Sequence, residues 1–333
     1  MTKKLIIIVL FFLSAYLTFV QGEIPWNTVW EGVLTRFNGG HSLWNPLLDE
    51  RLPRLIVILC TGAALAVSGV VMQALFQNPL AAPSVLGISC GGCLCAVPVF
   101  ILQWHIDYPF AIPVAALAGC LLTLLIVYAL SKQNGKVHMD TLILIGISVS
   151  TVLLALQATL LYAFRDRWQL IQMVTEWMAG STADRSWKHV HMQLPLTLIG
   201  LWGCWSYRNE LNLLSLGEEE AYNLGVEVDT LRWRLFLCVA ILTGGAIAAV
   251  GIIAFYGLVL PHIVRRVWGS DCKFLLLYSM ICGALVLSIL DLFLRMFQIH
   301  FLSIGNVSAL LGGLFFLFLL TTRAKRNYIY ASR

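Results

Sequence analysis

The sequence predicts an all-α polytopic membrane protein with about ten transmembrane helices and an inverted internal repeat. Three observations carry that expectation: the balance of apolar and charged residues, a succession of apolar runs near bilayer length, and residues that recur at one fixed offset. Apolar residues make up 59% of the 333 and charged residues 12%, against roughly 25% charged in soluble domains. A soluble chain of this length would lack the charge to cover its surface, so the surface must face lipid. The apolar runs never pause long enough to admit a separate soluble domain, and residues 1–333 read as a single membrane domain.

A helix needs about 20 apolar residues to cross the hydrocarbon core. Runs of that order occupy 5–20, 55–76, 84–103, 109–130, 139–164, 190–206, 274–297 and 305–322. The stretch 231–268 is too long for one crossing and is interrupted by Gly251, Gly257 and Pro261, so it divides into a full helix and a short returning one. Residues 5–20 behind Lys3 and Lys4 have the outline of a signal peptide, but Val20-Gln21-Gly22-Glu23 offers no small-x-small cleavage site. An uncleaved first helix is expected. Positive charge collects on cytoplasmic loops. Lys3 and Lys4 precede the first run, and Arg323, Lys325, Arg326 and Arg333 follow the last. Both termini are therefore expected in the cytoplasm of an inner-membrane protein, which requires an even number of crossings. The 131–138 loop with Lys132 and Lys136 then falls inside. The 207–230 loop also falls inside although it carries Glu218, Glu219, Glu220, Glu227 and Asp229; such a loop calls for a partner.

A shift of 182 residues aligns Thr61 with Thr243, Gly62 with Gly244, Ala64 with Ala246, Ala66 with Ala248 and Gly69 with Gly251. It also aligns Pro79 with Pro261, Val85 with Val267 and Gly87 with Gly269. In the ten-crossing count the two copies, about 55–164 and 231–322, run in opposite senses, the plan of many transporters. Common Gly/Ala-rich helix composition is the other reading. Gly62, Ala66 and Gly69 share roughly one helical face, as do Gly244, Ala248 and Gly251, and small residues let helices approach closely in lipid.

The net charge of +5 is modest and does not argue for nucleic acid. Cys90, Cys93 and Cys95 have the spacing of a metal cluster, but no second Cys or His cluster lies near in sequence, and neither metal nor disulfide is assigned. Gly135-Lys136-Val137 lacks the spacing of an ATP-binding P-loop. No catalytic residues are assigned, and this chain is expected to be neither an ATPase nor the holder of a cofactor. Runs 55–76, 84–103, 109–130 and 305–322 hold no ionisable side chain, which argues against ion-coupled transport. Asp291 and Arg295, four residues apart, suggest a local ion pair.

Four segments are more specific. Arg51-Leu52-Pro53-Arg54, followed by Gly62-Ala63-Ala64-Leu65-Ala66, leads into Gln77-Asn78-Pro79-Leu80-Ala81-x-Pro83-x-x-Leu86-Gly87. Leu216-Gly217-Glu218-Glu219-x-Ala221-x-x-Leu224-Gly225 and Gly257-Leu258-x-x-Pro261-His262-x-x-Arg265 follow in order. Together they resemble the permeases of iron-siderophore, haem and cobalamin ABC importers. The resemblance implies ten helices per subunit, a second permease subunit (a copy or a paralogue), two cytoplasmic ATPases that bind the ATP, and an external binding protein. It implies that Gly217, Glu218, Glu219, Ala221, Leu224 and Gly225 form a short helix pair seated in a groove of the ATPase. The acids also suit a helix N-terminus. It further implies that Arg51, Arg54 and Arg295 receive carboxylates of the binding protein, for which arginine's fork is suited; interfacial anchoring is their other reading. Asn78 and Leu80 would narrow the pathway, while Pro79 would equally end a helix. Pro79, Gly257, Pro261, His262 and Arg265 carry the signature, with His262 read as structural. Ser303 and Leu314 stand where the family often has proline. The cargo expected is an iron-siderophore, haem or cobalamin-like chelate. An oxyanion permease and an ion-coupled or facilitative carrier are the alternatives, and a receptor that moves nothing is a third class.

Overall fold

A computed structural model describes residues 26–37, 45–133, 136–299 and 302–331, with isolated positions between 10 and 17. The expected first crossing at 5–20, with Lys3 and Lys4, lies largely outside the described residues, as does Arg333. The helices are α1 (Trp26–Phe37), α2 (Leu52–Leu75), α3 (Ile88–Ile101), α4 (Ala111–Leu130), α5 (Met139–Ala163), α6 (Trp168–Met178), α7 (Trp187–Ser206), α8 (Arg208–Leu214), α9 (Glu218–Asn223), α10 (Val228–Val250), α11 (Tyr256–Trp268), α12 (Cys272–Met296) and α13 (Ile304–Ala331). A two-residue antiparallel ladder, Lys132–Gln133 with Lys136–Val137, closes the loop between α4 and α5. Among the described residues, Pro46–Leu75, α4, α5, α10 and α12 are long and apolar enough to cross a bilayer; α3 and Ile304–Leu319 are apolar but shorter.

The helix that the sequence places at 84–103 is shorter than expected. Pro83–Leu86 forms a 3₁₀ turn, Gly87 takes a left-handed φ of 70°, and α3 has only 14 residues. Gln103, with φ of 58°, ends the following turn. Glycine can adopt φ > 0 without a Cβ clash, so Gly87 is where the chain can turn into α3. The division of 231–268 falls where expected. Gly251, at φ 80°, caps α10, and residues 252–255 are not helical before α11 begins. The residues that the 182-residue shift aligns differ in backbone here: Gly69 lies inside α2, whereas Gly251 follows the end of α10. Likewise Pro79 sits in a turn, whereas Pro261 is inside α11.

Helix α2 is the central element. Asn45 starts it by accepting from the amides of Leu47 and Leu48 through a π-helical turn at Pro46–Arg51. Its apolar window is 89% buried. Helix α12 runs antiparallel to it, since Arg54 pairs with Asp291 at one end and Gly62 faces Gly283 further along. A Cβ on either of those glycines would overlap the other's carbonyl. Gly69 meets the Gly257 carbonyl of α11 in the same way. Pro261 has no N–H for that carbonyl four residues back, so the Gly257–Pro261 spacing frees it to face another helix. In lipid, where apolar contact gains little, this backbone approach and buried polar links hold helices together. Gln193 of α7 donates to Thr61 at 2.7 Å, and Gln73 donates to the Leu258 carbonyl at 3.1 Å.

Helix α10 is antiparallel to α2, as Ser68 meets Thr243 and Phe76 meets Phe236. It is also antiparallel to α4, where Gly244 lies near Cys120 and Tyr128 packs on Trp233. Thus α2 and α4 run one way, and α10 and α12 the other. Helix α5 stands apart: only 11% of its apolar window is buried. Ser303 caps α13, accepting from the Asn306 amide and donating to the Ala179 carbonyl.

Candidate functional site

The antiparallel bundle sorts the sequence-predicted residues onto two ends. At one end, where α2 begins and α12 finishes, Arg54 Nη2 lies 2.7 Å from Asp291 Oδ1. Arg295 Nε lies 3.2 Å from Asp291 Oδ2. Asp291 Oδ1 also accepts from Thr182 Oγ1 at 2.5 Å. The carboxylate is 2% exposed and the two arginine side chains 16% and 20%. Asp291 and Arg295 do form a local pair, and it is part of a larger cluster drawn from α2, α12 and the segment between α6 and α7. The charge balance favours the cations. Arg51 is buried nearby, and Arg185 donates to the Ser181 carbonyl at 2.9 Å. Burial pushes the Arg185 guanidinium down to about 10, opposed by Asp184 and reinforced by Arg54, so it stays charged at neutral pH. Arg54 Nε and Arg295 Nη2 make no hydrogen bond within the chain. The structure thus brings Arg51, Arg54 and Arg295 together and adds Thr182, Arg185 and Asp291. Their sequence separation hid this; Asp291 lies 237 positions from Arg54.

The other end holds the acidic loop. Its two short helices, α8 and α9, flank Gly217, whose φ is 134°, and Gly225, at 88°, follows α9. A side chain at either would be strained, which accounts for both glycines in the motif. Leu216, Tyr222 and Leu224 are 64%, 72% and 61% exposed. Ala221 is fully buried and faces the chain's own interior. Glu218 pairs with Arg232, a residue of α10 that is 3% exposed. Arg232 was not singled out from sequence, although it is a charge inside an apolar run. Asn212 ties the loop to the bundle by donating to Asp271 at 3.0 Å and accepting from the Cys272 amide at 2.7 Å.

Asn78, Pro79 and Leu80 form a turn at this same end. Asn78 Oδ1 accepts from the Leu80 amide at 2.9 Å, an Asx-type turn. Gln77 donates to the Leu214 carbonyl at 2.9 Å and so joins the turn to α8. Asn78 and Leu80 are exposed. Of the signature residues, Pro261 is buried, Gly257 is buried against α2, and His262 meets Phe315 of α13 edge-on at 6.3 Å. Arg265 is partly buried one turn before the end of α11.

An arginine-rich cluster and an exposed apolar–acidic loop thus lie at opposite ends of a lipid-suited bundle. Known proteins identify the family. The chain is 35% identical over 309 residues to the cobalamin import system permease BtuC of Halobacterium salinarum, covering 92% of this chain and 82% of that protein. It is 35% identical over 308 residues to the Fe(3+) dicitrate permease FecD of Escherichia coli, covering 92% and 94%. The hemin permease HmuU of Yersinia pestis is 35% identical over 300 residues, covering 86% of each. A metal-chelate type ABC transporter solved in an inward-facing conformation superposes with a TM-score of 0.84 at 27% identity, covering 97% of this chain and all of that one. The profile of the FecCD transport family matches residues 6–322, and the chain belongs to that family of ABC permeases.

Proposed function

We propose that the chain carries an iron-siderophore, haem or cobalamin-like chelate across the inner membrane, driven by two cytoplasmic ATPases that bind and split the ATP. The observation that carries this reading is that an arginine-rich cluster and an exposed apolar–acidic loop lie at opposite ends of one bundle. Leu216, Tyr222 and Leu224 form an apolar rim beside Glu219 and Glu220 and would seat in an ATPase groove. Ala221 would shape the loop from within. Arg54 and Arg295, backed by Arg51, would receive carboxylates of an external binding protein. The turn at Asn78 and Leu80 would gate the cytoplasmic end of the pathway. A second permease subunit would cover part of α5, the least buried of the long apolar helices. Ten crossings, cytoplasmic termini and the inverted repeat belong to the same reading; the antiparallel α2–α10 pair supports it.

The test is reconstitution into vesicles with and without ATPase and binding protein, using ferric citrate, haemin and cyanocobalamin as cargo. Uptake of one of them that requires ATP and both partners is expected. Uptake without any ATPase would identify a carrier instead, and binding without uptake a receptor.

A further inference from the structure

We propose that Arg232 is the positioning residue of the coupling loop: it clamps the first turn of α9 to α10, so that displacement of the loop is passed to the bundle. This inference rests on the reading of the loop as the ATPase seat.

Helix α8 is tied to the bundle through Asn212 and Gln77, whereas α9 is held by the buried Ala221 and by Glu218. Helix α9 is six residues long, well below the length at which a helix is stable alone. It is bounded by Gly217 and Gly225, both at positive φ, so the chain can swivel on either side. Against that background Arg232 pairs with Glu218, the first residue of α9, and its Nη1 lies 3.8 Å from Asp229 of α10's first turn. Arg232 is 3% exposed, while Glu218 and Asp229 have side chains about half exposed at 52% and 50%. A surface anchor would keep its guanidinium in water or headgroups. A buried charge is held only when paired, and among the described residues this is the ion pair that joins α9 to α10. Tyr128 of α4 packs at a tilt against the adjoining Trp233 at 4.7 Å, so the base of the clamp is anchored in the bundle.

The recipient of the clamp also reaches the arginine end. Helix α10 finishes at Val250, whose carbonyl accepts from the Ser181 amide at 2.8 Å. The next residue, Thr182, donates to Asp291. A loop motion held to α10 by Arg232 is therefore delivered to the segment that organises Arg54 and Arg295. Without the clamp the two glycines absorb it.

The assay is the assembled complex of permease, ATPases and binding protein in vesicles. The readout is hydrolysis with saturating binding protein divided by hydrolysis without it. Arg232→Gln, at a residue outside the seat, should lower this ratio about fivefold or more, the low end of typical site-to-site coupling, while the ATPases stay bound, and Glu218→Gln should lower it likewise. Arg232→Lys should retain most of it, and the exchange Arg232→Glu with Glu218→Arg should restore it over either single reversal. Glu218 is half exposed, so its variant folds even if an Arg232 variant does not. Tyr222→Glu with Leu224→Glu tests the underlying reading. If that pair leaves ATPase binding and stimulation intact, the loop is not the seat. If it abolishes them while Glu218→Gln and Arg232→Gln keep the parental ratio, the seat stands and the clamp is overturned. Losses that the exchange does not restore overturn it too.

Discussion

Replacing Asp291 by asparagine removes the carboxylate that Arg54 and Arg295 share. The side chain is 2% exposed and touches two guanidinium groups that are themselves mostly covered. Removing one partner of a buried ion pair typically costs about 3–5 kcal/mol, because the surviving charge is left uncompensated. Asparagine keeps an oxygen to accept from Arg54 and Thr182, so the low end applies. A loss of about 3 kcal/mol is about a hundredfold in the folded-to-unfolded ratio, at tenfold per 1.4 kcal/mol. The measurement is reversible unfolding of the purified permease in detergent for the parent, Asp291→Asn, Arg54→Gln and the double variant. The double variant should lose less than the sum of the singles by about 0.5–3 kcal/mol, the signature of residues in direct contact. Additive losses, or an Asp291→Asn variant as stable as the parent, would refute the shared-carboxylate argument.

Arg54→Glu and Arg295→Glu should each weaken binding-protein affinity, by about 1 kcal/mol or less if the contact is exposed and about 2–5 kcal/mol if it is desolvated. The loss should shrink at high salt, and parental affinity in both variants would remove the docking role. Gly69→Ala places a Cβ on the Gly257 carbonyl and should lower the unfolding midpoint, whereas Gly313→Ala, which has open space, should not. Single cysteines at Lys132 and Tyr108, in a background without native cysteines, should label from opposite faces of the membrane; labelling from one face would overturn the ten-crossing topology. Hydrogen bonds from Asn212 and from the Lys273 amide hold the Asp271 carboxyl below its usual range. Because its folded pKa is the lower one, its contribution is present above the unfolded value of about 3.9. It is lost as pH falls through the folded value. Amide exchange at Cys272 and Lys273 should accelerate in that window, and Asp271→Asn should flatten the dependence.

The long helices were legible because apolar length is a property of sequence alone. The runs at 109–130, 139–164 and 274–297 lie within two residues of α4, α5 and α12 at each end. The run at 84–103 overshoots because hydropathy does not register the left-handed turn at Gly87. Arg51, Arg54 and Arg295 were legible as a group only through resemblance. Their common carboxylate was not, since nothing in Asp291's neighbourhood in sequence points to Arg54. The loop motif was legible, but its sidedness was not: Ala221 faces inward, and Leu216, Tyr222 and Leu224 present the outer surface. The repeat aligns residues, yet backbone conformation departs from it at Gly69 and Gly251, where one copy continues as helix and the other is capped.

The glycine contacts of α2 restrict how the protein can change shape. Where Gly62 meets Gly283 and Gly69 meets Gly257, main chain touches main chain, with no layer of side chains to shear or exchange rotamers. Sliding α2 along α11 or α12 would drive the Cβ of a neighbouring residue into a carbonyl. These three helices therefore travel together, like a keel, in any change between outward and inward access. The bending must fall where the backbone already leaves helical geometry: at Gln77 after α2, at Gly251 and Phe255 between α10 and α11, and at Gln298 after α12, all at positive φ. Those joints lie beside the Asn78–Leu80 turn, the Ser181–Thr182 segment and the arginine end, so the keel can pivot at both ends of the bundle.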